Sequence, residues 1–100
     1  MAATPEKKVK DAVSKILKGN NVYYFAPASN GMGRAGIPDL ICCVDGMFLA
    51  IECKAGKGKT TALQDREIAA VKAAKGMAIV VNENNLADVQ QSIDYLREIP

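Results

Sequence analysis

The sequence has 100 residues, of which 49% are hydrophobic and 24% charged, and this composition is typical of a small globular domain rather than a disordered chain. Its three cysteines and its lack of histidine argue against a disulfide framework and against a zinc site. No segment approaches the roughly 20 apolar residues of a membrane span, and none resembles a signal peptide. We therefore expect one cytoplasmic domain over residues 1–100, with a core small enough to gain from a partner subunit.

Charge is divided unevenly along the chain, although the net charge is only +2. Residues 1–60 contain nine Lys or Arg and five Asp or Glu, whereas residues 61–100 contain four and six. The excess of positive charge in the first part indicates where a polyanion such as nucleic acid would bind.

The first elements in chain order are a helix, a short strand and a loop. Thr4 and Pro5 match a helix N-cap followed by proline at the first helical position, and Gly19 supplies a stop. Between them, apolar residues recur at helical spacing, at positions 9, 12, 13, 16 and 17. Residues 22–26 form a β-type run, and residues 27–36 have the composition of a loop.

The second part of the chain begins with two apolar runs, at residues 40–44 and 47–53, joined by Asp45-Gly46, which predicts a two-residue hairpin turn. A loop rich in Gly and Lys follows at 55–60. Thr61 and Gln64 match a capping box, which predicts a second helix that ends near residue 75. A β-type run at 77–81 follows, and Asn85 is a candidate cap for a third helix.

The order of elements is therefore αβββαβα, and both faces of the hairpin strands are apolar. A strand that is buried on both faces belongs in a sheet between helices. The sequence predicts an α/β fold with a mixed sheet flanked by helices. The apolar third helix would leave surface for a dimer.

The hairpin turn also predicts a register. If Asp45 and Gly46 form the loop, Asp39 lies directly opposite Glu52, with Cβ atoms roughly 4.5–5.5 Å apart. Carboxylates so close repel each other unless a cation neutralises them, and Mg²⁺ typically takes one or two carboxylates with waters and substrate phosphate. Lys54 falls on the same face as Glu52 because side chains alternate along a strand. Such a site could bind a phosphodiester through a metal and activate a water.

Each of these residues also has a purely structural interpretation. Asp39 could be a turn residue after Pro38, and Glu52 could form a salt bridge with Lys54. Lys54 could equally be an ordinary solvated lysine.

Pro38-Asp39 followed by Glu52-Cys53-Lys54 resembles the signature of the PD-(D/E)xK nucleases, in which an acid opens one strand and acid-x-lysine occupies its neighbour. The segments GRAGIPDLI (33–41) and IECKAGKGKTTALQ (51–64) resemble the VRR-NUC branch, in particular its stand-alone phage and bacterial members. The resemblance covers residues 5–81. It implies the PD-(D/E)xK nuclease core, αβββαβ, followed here by a C-terminal helix.

The resemblance implies a role for each matching residue. Asp39 and Glu52 resemble acids that bind Mg²⁺ or Mn²⁺, and the backbone carbonyl of Cys53 is the implied third ligand. Lys54 resembles the catalytic lysine that orients the attacking water or helps to deprotonate it. Gln64 resembles a helix glutamine near the catalytic site. Glu6 resembles an acid of the first helix that reaches the metal directly or through water.

Other interpretations remain open for the outer residues of this set. Gln64 could serve only in its capping box, and Glu6 could be a first-turn acid favoured by the helix dipole. Arg34, Lys57 and Lys59 lie in loops that flank the site and could bind DNA phosphates, or could be solvated charges. Arg34 is the best candidate of the three because a guanidinium forms bidentate phosphate contacts.

The pattern and the resemblance together predict a metal-dependent DNA endonuclease. The resemblance further implies selectivity for branched DNA, with four-way (Holliday) junctions as the leading substrate. A symmetric junction needs paired cuts, which a twofold homodimer would provide. The alternatives are a less selective endonuclease, a nuclease of flaps or ends, and a DNA-binding module of the same fold without catalysis.

Overall fold

The computed structural model describes residues 4–28 and 33–99. This part of the chain forms three helices and four strands: α1 (Pro5–Gly19), β1 (Tyr23–Phe25), β2 (Leu40–Val44), β3 (Met47–Cys53), α2 (Ala62–Ala73), β4 (Met77–Val81) and α3 (Ala87–Glu98). The order is the expected αβββαβα, with β1 shorter than expected and α2 ending before Lys75. Lys75 has a φ of 74°, which an α-helix does not accommodate.

The four strands form one sheet in the order β1-β2-β3-β4. The pairs β1/β2 and β2/β3 are antiparallel, whereas β3/β4 is parallel and is connected through α2. A parallel pair needs a crossover of this kind because its strands cannot be joined by a tight turn. The mixed sheet flanked by helices confirms the α/β prediction.

The β2–β3 hairpin has the register that its turn predicts. Asp45 and Gly46 have φ of 51° and 86°, and a type I′ turn requires positive φ at both central residues. Val44 pairs with Met47 at the turn, and the pairing continues without a bulge to Leu40. The next position along this ladder places Asp39 beside Glu52.

Helix α1 begins where the sequence predicts. The Thr4 hydroxyl accepts a hydrogen bond from the Lys7 amide at 3.1 Å, and Pro5 occupies the first turn. With α3, this helix covers one face of the sheet and encloses the core, which consists of residues 9, 13, 17, 22, 40, 42, 44, 49, 51, 53, 81, 89, 93 and 96.

Helix α3 uses its apolar stripe inside the molecule. Val89, Ile93 and Leu96 are buried, so the expectation that this stripe leaves surface for a dimer is wrong. Asn85 does not cap α3 with its side chain either. Its Oδ1 accepts from the Asn82 amide at 2.7 Å, within the preceding loop.

The opposite face of the sheet is only partly covered. Helix α2 packs against β4, while Tyr23 and Phe48 are 71% and 43% exposed and Cys43 is exposed. The prediction that both faces of the hairpin are buried is therefore wrong at β2 and the start of β3. Among the described residues, no helix is long and apolar enough to cross a membrane.

Candidate active site

The open end of the hairpin brings Asp39 and Glu52 together. Leu40 pairs with Ile51, and one residue further Asp39 Oδ2 accepts a hydrogen bond from the Cys53 amide at 2.8 Å. This bond fixes the Asp39 carboxylate against β3. The carboxyl group of Glu52 is close enough to Asp39 for Asp39 to raise its pKa.

Glu52 is a buried acid with incomplete hydrogen bonding. Its side chain is 2% exposed, and its Oε2 has no hydrogen-bond partner among the described residues. The pKa of Glu52 is raised to about 8, mainly by burial and in addition by Asp39 and the charge of Glu6, while the charge of Lys54 opposes the rise. A buried carboxyl group in such surroundings is stable only with a proton or with a cation.

Pro38 leaves the backbone carbonyl oxygen of Cys53 without a hydrogen-bond donor on the neighbouring strand. By the hairpin register, Pro38 lies opposite Cys53. In an antiparallel pair, the N–H and the C=O of one residue point toward the same neighbouring strand. The Cys53 N–H points toward Asp39, so the Cys53 carbonyl faces that side as well. Pro38 has no N–H to donate to that carbonyl. The Cys53 carbonyl is therefore open to another partner.

These donors fit a hard divalent cation. Two carboxylates and one carbonyl suit Mg²⁺ or Mn²⁺, which complete their coordination with waters and substrate phosphate. Within residues 4–28 and 33–99 there is no group of three or more His, Cys, Asp or Glu side chains that would enclose a metal ion. The Cys53 thiol lies in the core, where burial raises its pKa to about 12, so the sulfur is not a ligand.

The start of α1 forms the opposite wall of the site. Glu6 lines a cavity of about 670 Å³ together with Asp39 and Cys53, and its charge acts on Glu52. Lys10, one helical turn after Glu6, lines the same cavity. Lys10 was missed in the sequence, although its i+4 spacing from Glu6 places both on one side of a helix.

Lys54 continues β3 beyond the paired acids. Its amide donates to the Val81 carbonyl at 2.9 Å, so the start of the following loop is tied to β4. Its side chain is half-buried, and its charge lowers the pKa of Glu52. The lysine therefore lies where its ammonium acts on the paired acids.

The loop after Lys54 is held by hydrogen bonds to Glu83, an acid that the sequence did not indicate as part of the site. The Gly56 amide donates to both carboxylate oxygens of Glu83, at 2.6 and 3.0 Å. Lys57 and Lys59 are exposed on this loop, and their role in DNA binding stays a prediction.

Gln64 forms the capping box at the start of α2. Its Oε1 accepts from the Thr61 amide at 2.9 Å, and the Thr61 hydroxyl accepts from the Gln64 amide at 3.2 Å. The capping role is therefore confirmed, and a role of Gln64 at the catalytic site stays a prediction.

Arg34 is engaged by an acid of α2. Its guanidinium forms a bidentate ion pair with Glu67, with both N–O distances 3.0 Å. The hydrogen bond to Glu67 raises the pKa of Arg34 and in turn lowers that of Glu67. Binding of a DNA phosphate by Arg34 stays a prediction, and the phosphate would compete with Glu67.

The raised pKa of Glu52 predicts that the metal-free protein loses stability as the pH rises. The unfolded chain releases this proton near pH 4.5, whereas the folded chain keeps it up to about 8. The folded state therefore binds more protons between these values, and the free energy of unfolding falls across them.

Thermal unfolding in EDTA, from about pH 5 to about pH 9, measures this fall. In Glu52→Gln, the melting temperature is expected to depend less on pH. Mg²⁺ is expected to raise the melting temperature of the wild type, and most strongly at alkaline pH. A Glu52→Gln curve as steep as that of the wild type would contradict the assignment.

Two comparisons with known proteins found similar proteins. A family model described as "Archaeal holliday junction resolvase (hjc)" matches residues 13–81, a range that contains Asp39, Glu52 and Lys54. A solved structure titled "VRR_NUC domain" is similar with a TM-score of 0.72 and 21% sequence identity, over 93% of this chain and 98% of that chain. No curated protein matches the chain. At this identity the structural likeness shows the fold.

Proposed function

The chain belongs to the archaeal Holliday junction resolvase family, and we propose that it is a divalent-metal-dependent endonuclease selective for four-way DNA junctions. The family match and the fold likeness confirm the resemblance to VRR-NUC nucleases that residues 33–41 and 51–64 indicate. Metal dependence rests on one observation above all. Glu52 Oε2 is buried beside Asp39 without a hydrogen-bond partner among the described residues.

In this proposal, Asp39, Glu52 and the Cys53 carbonyl bind the metal. A divalent ion held by these groups would supply positive charge to the scissile phosphate and would make a bound water more acidic. Asp39 is oriented for this role because its other oxygen accepts from the Cys53 amide. Burial of Glu52 keeps bulk water away from one side of the site.

In the same proposal, Lys54 acts on the attacking water and on the negative charge that develops on the phosphate. Its ammonium has three donors, which can orient a water beside the paired acids and stabilise negative charge on the phosphate. Glu6 lines the opposite wall of the cavity, and in this proposal it would contact the metal directly or through a water.

The decisive experiment compares a four-way junction with a linear duplex of the same sequence, with Mg²⁺ or Mn²⁺ and with EDTA. We expect paired cuts in the junction, little cutting of the duplex and no cutting in EDTA. Equal cutting of both substrates would leave a less selective endonuclease. DNA binding without product under any divalent ion would leave a DNA-binding module without catalysis.

We propose further that the nuclease is a homodimer, since a twofold pair of sites matches the two cuts that a junction needs. The open face of the sheet is the surface that fits this role. Tyr23, Cys43 and Phe48 are neighbours in register across three strands, and all three are exposed. A contiguous apolar patch of this kind is typical of an interface.

Tyr23→Glu is expected to convert the dimer into a monomer, because a charge at a symmetric interface meets its own copy. Mass measurement in solution should give twice 10.6 kDa for the wild type and 10.6 kDa for the variant. Lys15→Glu is the control, since Lys15 is exposed on α1, which packs on the other face of the sheet. A monomeric wild type would contradict the dimer.

A further inference from the structure

Lys10 is placed beside the paired acids, and no role is yet assigned to it. It lies in the second turn of α1 and is half-buried. It lines the cavity of about 670 Å³ with Glu6, Asp39 and Cys53. Its charge also opposes the rise in the pKa of the Cys53 thiol, so its field extends to the end of β3.

A second groove begins where that cavity ends. It has a volume of about 420 Å³ and is lined mainly by the loop before β2, including Arg34, Gly36 and Pro38. Lys10 and Asp39 are the two residues that line both spaces. A strand of DNA that passes from the metal site into the groove would therefore pass Lys10.

The ammonium of Lys10 is not committed to an acid. Lys7, on the same helix, is paired with Asp11 at 3.0 Å, and Arg34, across the groove, is paired with Glu67. Within the part of the chain that the structure describes, Lys10 forms neither a salt bridge nor a side-chain hydrogen bond. It is thus the cation of this group that is free to bind an incoming anion.

We propose that Lys10 binds a backbone phosphate of the DNA next to the scissile one, and so guides the cut strand from the metal site into the groove of residues 33–39. This inference rests on the proposed nuclease function. The role is one of substrate binding rather than chemistry, because Asp39, Glu52 and Lys54 surround the reacting atoms on the hairpin side.

The test measures affinity for a four-way junction at several salt concentrations, with Ca²⁺ in place of Mg²⁺. Each phosphate contact contributes about 0.9 to the slope of log affinity against log salt. Lys10→Gln should lower the slope by about that amount, so that affinity falls about 3-fold less than in the wild type between 50 and 200 mM salt. Lys10→Arg should keep the wild-type slope.

One control variant and two further measurements separate phosphate binding from other roles. Lys15→Gln, an exposed lysine later on α1 that lines neither space, is the matched control and should leave the slope unchanged. At saturating junction and with Mg²⁺, Lys10→Gln should lower the cleavage rate by a smaller factor than it lowers the affinity. Thermal unfolding without DNA should be close to wild type, because no described contact is lost.

An unchanged salt slope in Lys10→Gln would overturn the proposal, and so would a large loss of the saturated cleavage rate with no change in slope. Failure of the nuclease function is a distinct result. It would appear as a wild-type protein that cuts no DNA with any divalent ion, while a lower slope in Lys10→Gln would still support the phosphate contact.

Discussion

Glu52→Gln is expected to lower the rate of junction cleavage by at least about 10³-fold, because metal binding contributes several kcal/mol to charge stabilisation in the transition state. The amide has the shape of the acid but carries no negative charge for a cation. The variant should nevertheless fold. Unlike the acid, the amide needs no proton to be buried beside Asp39, so its melting temperature in EDTA should exceed that of the wild type at neutral and alkaline pH.

Single-turnover cleavage with Mg²⁺ measures the loss of cleavage rate. Thermal unfolding in EDTA and in Mg²⁺ measures the melting temperature. Mg²⁺ should raise the melting temperature of the wild type and not that of Glu52→Gln. Glu98→Gln is the matched control, because Glu98 is exposed at the end of α3 and lines no wall of the site. A Glu52→Gln rate within tenfold of the wild type would place the metal centre elsewhere.

Lys54→Ala should lower the cleavage rate by about 10²–10³-fold, the usual effect of removing one donor that stabilises transition-state charge. Metal binding should survive, since both carboxylates remain. The positive charge of Lys54 lowers the pKa of Glu52, so its loss should move the acidic limb of the pH–rate profile to higher pH.

Rates at saturating DNA across the pH range, with metal titrations followed by thermal shift, test this prediction. Lys57→Ala, three residues later on the exposed loop, should change the saturated rate little. A Lys54→Ala enzyme that cuts as fast as the wild type would remove Lys54 from the site. Loss of metal binding in Lys54→Ala would instead assign it a structural role.

The pairing of Asp39 with Glu52 could be predicted because it depends on local geometry. Asp-Gly is a sequence that accepts positive φ at both turn positions, and the two-residue turn sets the register of the whole hairpin. Each later pair follows by counting. The capping box of α2 was predictable for the same reason, since its bonds join residues three positions apart.

The surroundings of the paired acids depend on packing between distant segments. The ion pair of Arg34 with Glu67 joins residues 33 positions apart, and no local pattern indicates it. The place of Lys10 depends on how α1 lies across the end of the hairpin. Its spacing from Glu6 shows a shared helix face, but not that this face meets Asp39.

Apolar patterning also could not show which surfaces stay open. Cys43 and Phe48 alternate with core residues as in a strand buried on both faces, yet both are exposed because α2 packs against β4 instead. The stripe of α3 has the opposite outcome. It is covered by the sheet and α1, although the sequence permitted a free surface there.

The sequence by itself therefore determined the order of elements, the hairpin register and the position of Asp39, Glu52 and Lys54 at the open end of the hairpin. Caps, turns and strand alternation act over a few residues, so local sequence is enough for these features. The tertiary structure alone decided that Glu52 Oε2 is buried without a partner among the described residues, that Lys10 faces both spaces beside Asp39, and that one face of the sheet is open. The physical reason is that burial and electrostatic fields arise from segments brought together by packing, which local backbone preferences do not specify.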